Sequence, residues 1–251
     1  MKLLFLGVAS ALTVGLNKFQ SNMVLETKAG QRLLIDCGSD IRHSLIMQGY
    51  RYSDIHAVYI SHLHADHTGG LEWLGFSKYF LEKERPALYI SPDQKNALWQ
   101  NVLSGGMASL EGEEATLETF FDAKPIHNYS FVWEGYSFQL IKTCHTFNND
   151  KLLPSYGLLI TGDDKTIFVS TDSRFHRESL LPIYEKADLI FHDCETSATK
   201  SNQHAHYDEL KTLDEKIKKK MWLYDYNEGK LPNPTEEGFQ GFVSQGQSFY
   251  F

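Results

Sequence analysis

Apolar residues in this chain fall into two patterns. Short unbroken runs stop abruptly at a polar or glycine residue, and longer stretches carry an apolar residue every third or fourth position. The first pattern predicts buried strands and the second predicts helices with one packed face. Strands are predicted over "KLLFLG", "SNMVLETKAG" and "QRLLIDCG", the last two joined by a turn at "AG". A short helix follows over "SDIRHSLIMQGY", opened by Ser39 or Asp40 and stopped at Gly49. Next come a buried strand in "HAVYISH", a helix in "TGGLEWLGFSKYFLEKE", a strand in "ALYIS" and a helix in "PDQKNALWQNVLS". Residues 104–128 give a less regular pattern, within which "ASLEGEEATLETFFD" is predicted to be helical and to form a lid or an interface. In the second half, "SFVWEGYSFQLIKTCH", "SYGLLITGDDKTIFVSTDS", "ADLIFHDCE" and "KMWLYDYN" read as strands. "HRESLLPIYEKA" and "YDELKTLDEKIKKK" read as the helices between them. No linker or low-complexity tract interrupts the pattern, so a single domain over residues 1–251 is expected.

Composition narrows the class. The chain has 251 residues, 42% of them hydrophobic, enough for a full core. A net charge of −8 argues against tight binding of DNA or tRNA, which calls for a basic face. Three widely spaced cysteines, Cys37, Cys144 and Cys194, do not make a disulfide framework and fit a reducing cytoplasm. The opening "MKLLFLGVASALTVG" has features of a secretion signal, but only one basic residue precedes the apolar run, and a first buried strand is the better reading. No run is long enough to span a bilayer. The lysines of "KIKKK" read as a solvated helix end.

The densest chemistry lies in "YISHLHADHTGG", residues 59–70. An apolar strand stops at Ser61, and His62, His64, Asp66 and His67 follow at once. Imidazole nitrogens and carboxylate oxygens are the usual ligands of zinc and similar divalent metals. His62 and His64 are two apart and can point the same way. Asp66 and His67 follow after the chain turns and can face a second metal. Gly69 and Gly70 allow a close backbone approach and the start of a helix.

This stretch resembles the His-x-His-x-Asp-His motif of the metallo-β-lactamase superfamily, and the resemblance runs along most of the chain. "LFLGVASA" resembles the opening strand, "LLIDCGSD" the Asp-x-Gly turn, "CHTF" at 144–147 the third metal motif and "FVSTDSRF" at 168–175 the fourth. The resemblance implies an α/β fold, the four-layer αβ/βα sandwich, with two metal ions, zinc before manganese or another divalent ion. It implies that His62, His64 and His145 hold one metal, that Asp66 and His67 hold the other, and that Asp172 bridges them. Asp36 would hydrogen-bond a ligand imidazole and fix its tautomer.

"DLIFHDCETS" and "HAHYDEL" resemble the "His-Glu-Ala-Thr" and "His-Ser-Thr" region of the tRNA 3′-processing endonucleases and of the cyclic-nucleotide phosphodiesterases grouped with them. In that match His204 is the catalytic imidazole and Asp193 the carboxylate that orients it; His206, two residues on, is an alternative. Only residues 146–171 separate the third and fourth metal motifs, too few for the tRNA-binding arm of the endonucleases. The whole chain is instead similar to the phage and bacterial anti-Pycsar phosphodiesterases. That resemblance implies hydrolysis of 3′,5′-cyclic nucleotides by a homodimer in the cytoplasm, the host's if phage-encoded. It implies a two-metal reaction in which a hydroxide held by Asp66 and Asp172 attacks phosphorus in line with the leaving oxygen. One position departs from the family: where its last ligand is a histidine, "MWLYDYN" places Asp225. The alternatives are a nuclease or other hydrolase of the superfamily, and a nucleotide sponge whose second metal site is impaired at Asp225.

Overall fold

Leu4, Val24, Leu34, Val58 and Leu88 stand side by side across five strands of one sheet, and all are buried. The computed structural model that shows this row describes every residue from 1 to 251 except Asp163. Side chains alternate faces along a strand, so one apolar residue contributed per strand builds a continuous surface. Ile41 and Leu45 of the helix Ile41–Met47, Leu71 and Leu74 of the helix Leu71–Ser77, and Leu98, Leu103 and Met107 farther on join the same core.

These elements belong to the first of two compact units, made of Met1–Gly7, Phe19–Asn128 and Gly246–Tyr250. Its seven strands run in the order Ser248–Tyr250, Lys2–Phe5, Met23–Glu26, Arg32–Ile35, Ala57–Ile60, Ala87–Ile90, Asp122–Pro125. The strands from Arg32–Ile35 to Asp122–Pro125 are parallel. "KLLFLG" is thus an inner strand, paired on both sides.

The second unit comprises Val8–Lys18, Tyr129–Gln245 and Phe251. Its sheet runs Gly241–Phe242, Met221–Tyr224, Leu189–Asp193, Lys165–Val169, Tyr156–Gly162, Tyr136–Lys142, Ser130–Trp133. The first four are mutually parallel. Leu159, Phe168, Ile190 and Met221 form its cross-strand row, packed with Leu180 and Tyr184 of the helix Arg177–Lys186. Glu134 and Gly135, at φ 49° and 83°, make the tight turn between the two strands of "SFVWEGYSFQLIK".

Three helical predictions are corrected. Residues 108–115 are not helical: Ser109–Leu110 pairs with Glu113–Glu114 in a small hairpin turned by Gly112 at φ 87°, and a new helix starts only at Leu117. "YDELKTLDEKIKKK" is two helices, Tyr207–Leu210 and Glu215–Lys218, because Asp214 takes an extended ψ of 144° and restarts the chain. The glycine-opened helix is also split. A turn over Ala65–Thr68 precedes Leu71–Ser77, and a wide π-type turn continues it over Lys78–Glu82. A β-carbon on Gly70 would lie 2.4 Å from the Gly38 carbonyl oxygen, so the break exists where two backbones nearly touch.

Candidate metal site

Parallel strands collect ligands at their carboxyl ends, and the candidate ligands of both units lie past strand ends, although His145 follows the antiparallel strand Tyr136–Lys142. In the first unit, Arg32–Ile35 ends at Asp36 and Ala57–Ile60 ends at Ser61 and His62. Asp36 is buried and accepts from the Ser61 amide at 2.8 Å, the Ser61 hydroxyl at 2.7 Å and His67 Nδ1 at 2.7 Å. These contacts set the protons of two imidazoles. The Ser61 hydroxyl spends its proton on Asp36, so at 3.0 Å it accepts from His62 Nδ1. His62 therefore carries a lone pair on Nε2, and His67 carries one on Nε2 for the same reason. His62 Nε2 lies 2.9 Å from His64 Nδ1, and His67 Nε2 lies 3.1 Å from an Asp66 carboxylate oxygen.

The second contact sets a lone pair against an anionic oxygen, which is repulsive unless a proton or a cation intervenes. The first sets two imidazole nitrogens equally close and needs one too. Buried Asn22 braces the arrangement: its side chain accepts from the Gly38 amide at 2.7 Å and donates to the Asp66 carbonyl at 3.3 Å.

The second unit presents a matching set. His145 follows the strand Tyr136–Lys142, Asp172 follows Lys165–Val169, Asp193 closes Leu189–Asp193, and Asp225 follows Met221–Tyr224. His145 Nδ1 donates to the Gln203 carbonyl at 2.8 Å, leaving the Nε2 lone pair 3.5 Å from Asp172 Oδ2. His204 Nδ1 donates to Asp193 at 3.0 Å and lies 3.5 Å from Asp225, while its Nε2 is 3.9 Å from Asp172. Asp172, His204 and Asp225 each offer a ligand atom, all within 4.8 Å of one another. The donor chemistry in both units fits a divalent cation: oxygen and nitrogen only, with imidazole lone pairs aimed at carboxylates or at each other.

Electrostatics single out His204. Burial alone pulls its pKa down, but Asp172, the bond to Asp193 and the Asp225 charge outweigh burial and raise it to about 10. Burial pushes the Asp193 carboxyl up, yet hydrogen bonds from His192 and His204 hold it below the usual carboxylate range. His206 is placed elsewhere. Its Nδ1 accepts from the Asp208 amide at 3.2 Å, capping the helix Tyr207–Leu210, and its Nε2 donates to the Ser197 carbonyl at 3.0 Å, so both nitrogens are engaged away from Asp193.

A family of anti-Pycsar proteins, described as anti-Pycsar protein Apyc1, matches residues 1–249 of this chain. The chain belongs to the anti-Pycsar Apyc1 family. Among its relatives, the Apyc1 protein of Paenibacillus harenae is 36% identical over 231 residues, covering 91% of this chain and 90% of its own length. That of Bacillus phage 010DV004 is 29% identical over 260 residues, covering 99% and 98%. Among solved structures, the metallo-β-lactamase fold protein YhfI from Bacillus subtilis superposes with a TM-score of 0.76 at 20% identity, covering 99% of this chain and 98% of YhfI. The fold is therefore that of the metallo-β-lactamases, and this Apyc1-family chain has, among its described residues, no helix long and apolar enough to cross a membrane.

Several contributors escaped the sequence reading. Arg174 donates to the His145 carbonyl at 2.7 Å and stacks over Phe147 at 4.9 Å, bracketing the third motif. His192 bonds Tyr184 at 2.7 Å and presents Nδ1 3.1 Å from Asp193. Glu195 gathers the loop before His204. The only signal for Arg174, His192 and Glu195 was adjacency: each lies within two residues of a residue already singled out.

Proposed function

We propose that this chain is a metal-dependent hydrolase, a phosphodiesterase that opens 3′,5′-cyclic nucleotides and so removes a cyclic-nucleotide signal. Membership of the Apyc1 family supports a cyclic-nucleotide substrate. The observation that carries the chemistry is His204: a charged imidazole fixed by a buried carboxylate beside Asp172 and Asp225. The alkoxide leaving a phosphodiester is strongly basic and needs a proton in the transition state. Asp193 occupies Nδ1, so the deliverable proton sits on Nε2. A nucleotide sponge would need no such pair.

His62, His64, Asp66, His67, His145, Asp172 and Asp225 would hold the metal ions, two per chain and zinc in the first instance, as the family resemblance implies. Bound there, divalent ions would supply Lewis acidity toward phosphoryl oxygen and lower the pKa of a water. Asp36 and the Gln203 carbonyl keep the imidazole lone pairs on the right atoms. Asp193 keeps His204 charged and aimed. The net charge of −8 and the short stretch between the third and fourth motifs support a small substrate over tRNA. A cytoplasmic homodimer is part of the same proposal.

The test is a hydrolysis panel of 3′,5′-cyclic nucleotides, a linear dinucleotide, a thioester and a lactone, run beside elemental analysis of unchelated protein. Turnover confined to cyclic nucleotides with about two metal equivalents supports the reading. Tight binding without turnover would replace it with the sponge.

A further inference from the structure

The mechanism above uses Asp193 but leaves unexplained a second buried carboxylate two residues later. Glu195 is 6% exposed. Its carboxylate accepts from the Ser197 hydroxyl at 2.8 Å, from the Ser201 amide at 3.0 Å through each oxygen, and from the Ser201 hydroxyl at 3.1 Å. Its own backbone closes the loop: the Glu195 amide donates to the Ala205 carbonyl at 2.9 Å and the Tyr207 amide to the Glu195 carbonyl at 3.0 Å. Residues 196–204 thus form a loop cinched at its neck by the backbone of Glu195 and filled by its side chain. His204 is the last residue of that loop.

The contacts continue to the ligand set. The Ser201 hydroxyl, having given its proton to Glu195, accepts from the Gln203 amide at 3.1 Å. The Gln203 carbonyl in turn accepts from His145 Nδ1 at 2.8 Å. A backbone carbonyl can only accept, so the Gln203 carbonyl makes His145 Nδ1 the donor. What Glu195 and Ser201 supply is the position of Gln203, and with it the position of that carbonyl.

We propose that Glu195 is the positioning residue of this site: through Ser201 it holds Gln203, whose carbonyl fixes the tautomer of His145, and through the same loop it sets the placement of His204. No other charged side chain among the described residues contacts the Ser201 hydroxyl. The part concerning hydrolysis rests on the phosphodiesterase reading; the part concerning the His145 tautomer does not.

Three variants test it: Glu195→Ala, Glu195→Gln and Ser201→Ala. Ser201 is exposed, so its truncation leaves the core intact. Glutamine keeps one oxygen for the Ser201 amide and can donate to the Ser201 hydroxyl, so it should rescue most of what alanine loses. The first measurement is the ¹⁵N spectrum of the imidazoles in the chelated, metal-free full chain. Wild type and Glu195→Gln should show His145 protonated on Nδ1, while Glu195→Ala and Ser201→Ala should show mixed tautomers. The second is zinc affinity by competition with a chromogenic chelator, expected to fall about 10- to 100-fold in Glu195→Ala and Ser201→Ala. The third is turnover of a cyclic nucleotide, expected to fall in kcat more than it changes KM.

An unshifted His145 tautomer in a folded Ser201→Ala chain, with unchanged zinc affinity, overturns the inference whatever the activity. If wild type turns over no cyclic nucleotide but the tautomer shifts as stated, the phosphodiesterase reading fails and the positioning role stands.

Discussion

Replacing His204 with alanine separates proton delivery from metal binding. Burial lowers the pKa of the imidazole, but without a metal Asp172, the bond to Asp193 and the Asp225 charge raise it to about 10, so the charged form dominates at pH 7. Cations held at Asp172 and Asp225 would cancel part of the field that raises it and bring the pKa toward working pH, where a general acid is most effective. The proton on Nδ1 is committed to Asp193 at 3.0 Å, which leaves one proton, on Nε2, to give. Losing a general acid costs about 10²- to 10⁴-fold in rate, or roughly 3 to 5 kcal/mol of barrier. That loss should apply only where the leaving group needs a proton. The assay therefore pairs a 3′,5′-cyclic nucleotide with bis(p-nitrophenyl) phosphate, whose phenolate departs unprotonated. His204→Ala should lose the full factor on the first and no more than about tenfold on the second, at unchanged metal content. Equal losses on both substrates would remove the acid role. A drop in metal content would make His204 a ligand with Asp172 and Asp225, a grouping whose ligand atoms already lie within 4.8 Å.

Asp225→Ala should lower bound metal from about two toward about one per chain and reduce turnover; elemental analysis showing full occupancy would place Asp225 outside the site. Asp36→Ala strands the Ser61 amide, the Ser61 hydroxyl and His67 Nδ1 without their shared acceptor. A cost of about 1 to 3 kcal/mol for each donor left unsatisfied in the interior should appear as a lower urea midpoint, and zinc affinity should fall with it. In chelated protein, the raised His204 pKa contributes stability that is complete below about pH 6.5 and is lost as pH rises through about 10. The melting temperature should fall across that window in wild type and less so in His204→Gln; superimposable profiles would refute the assignment.

The first cluster of candidate ligands was legible because its spacing is local. His62, His64, Asp66 and His67 sit on one strand end and one turn, so sequence distance is nearly spatial distance. The second cluster was reachable only through resemblance: Asp172, Asp193 and Asp225 lie at the ends of three parallel strands, His145 follows an antiparallel strand, and His204 sits in a loop. Apolar runs revealed the strands themselves, since burial alone decides where a run stops. They could not reveal hydrogen-bond chains. Glu195 looks like any acidic loop residue until Ser201 and Gln203 are seen to lead from it to His145. Two of the three helical errors have a common cause: in "LEGEEATLE" and "ELKTLDEK" most residues favour helix, and a single glycine or a single extended ψ overrode them.

Backbone conformation was also invisible to pattern, and it bears on how the site is aimed. Asp36, Thr171 and Asp225 all have left-handed φ values, 62°, 50° and 61°. Asp36 and Asp225 are the first residues past their strands, and Thr171 immediately precedes Asp172. Aspartate tolerates this region, but a β-branched threonine does not, and such a residue costs about 1 to 3 kcal/mol unless its surroundings enforce it. The enforcement at Thr171 is visible on both sides. Ser170 accepts from the Asp193 amide at 2.9 Å, while Thr143 and Ser155 both donate to the Asp172 carbonyl, at 3.1 and 3.2 Å. An extended chain would carry these residues onward in the pleat with alternating directions. The left-handed step at each strand end breaks that alternation, and in the second unit Asp172 and Asp225 end up flanking the imidazole of His204. At Asp225, where the family resemblance implies a histidine, aspartate suits the left-handed backbone conformation of this strand end, and its shorter side chain still reaches to within 3.5 Å of His204.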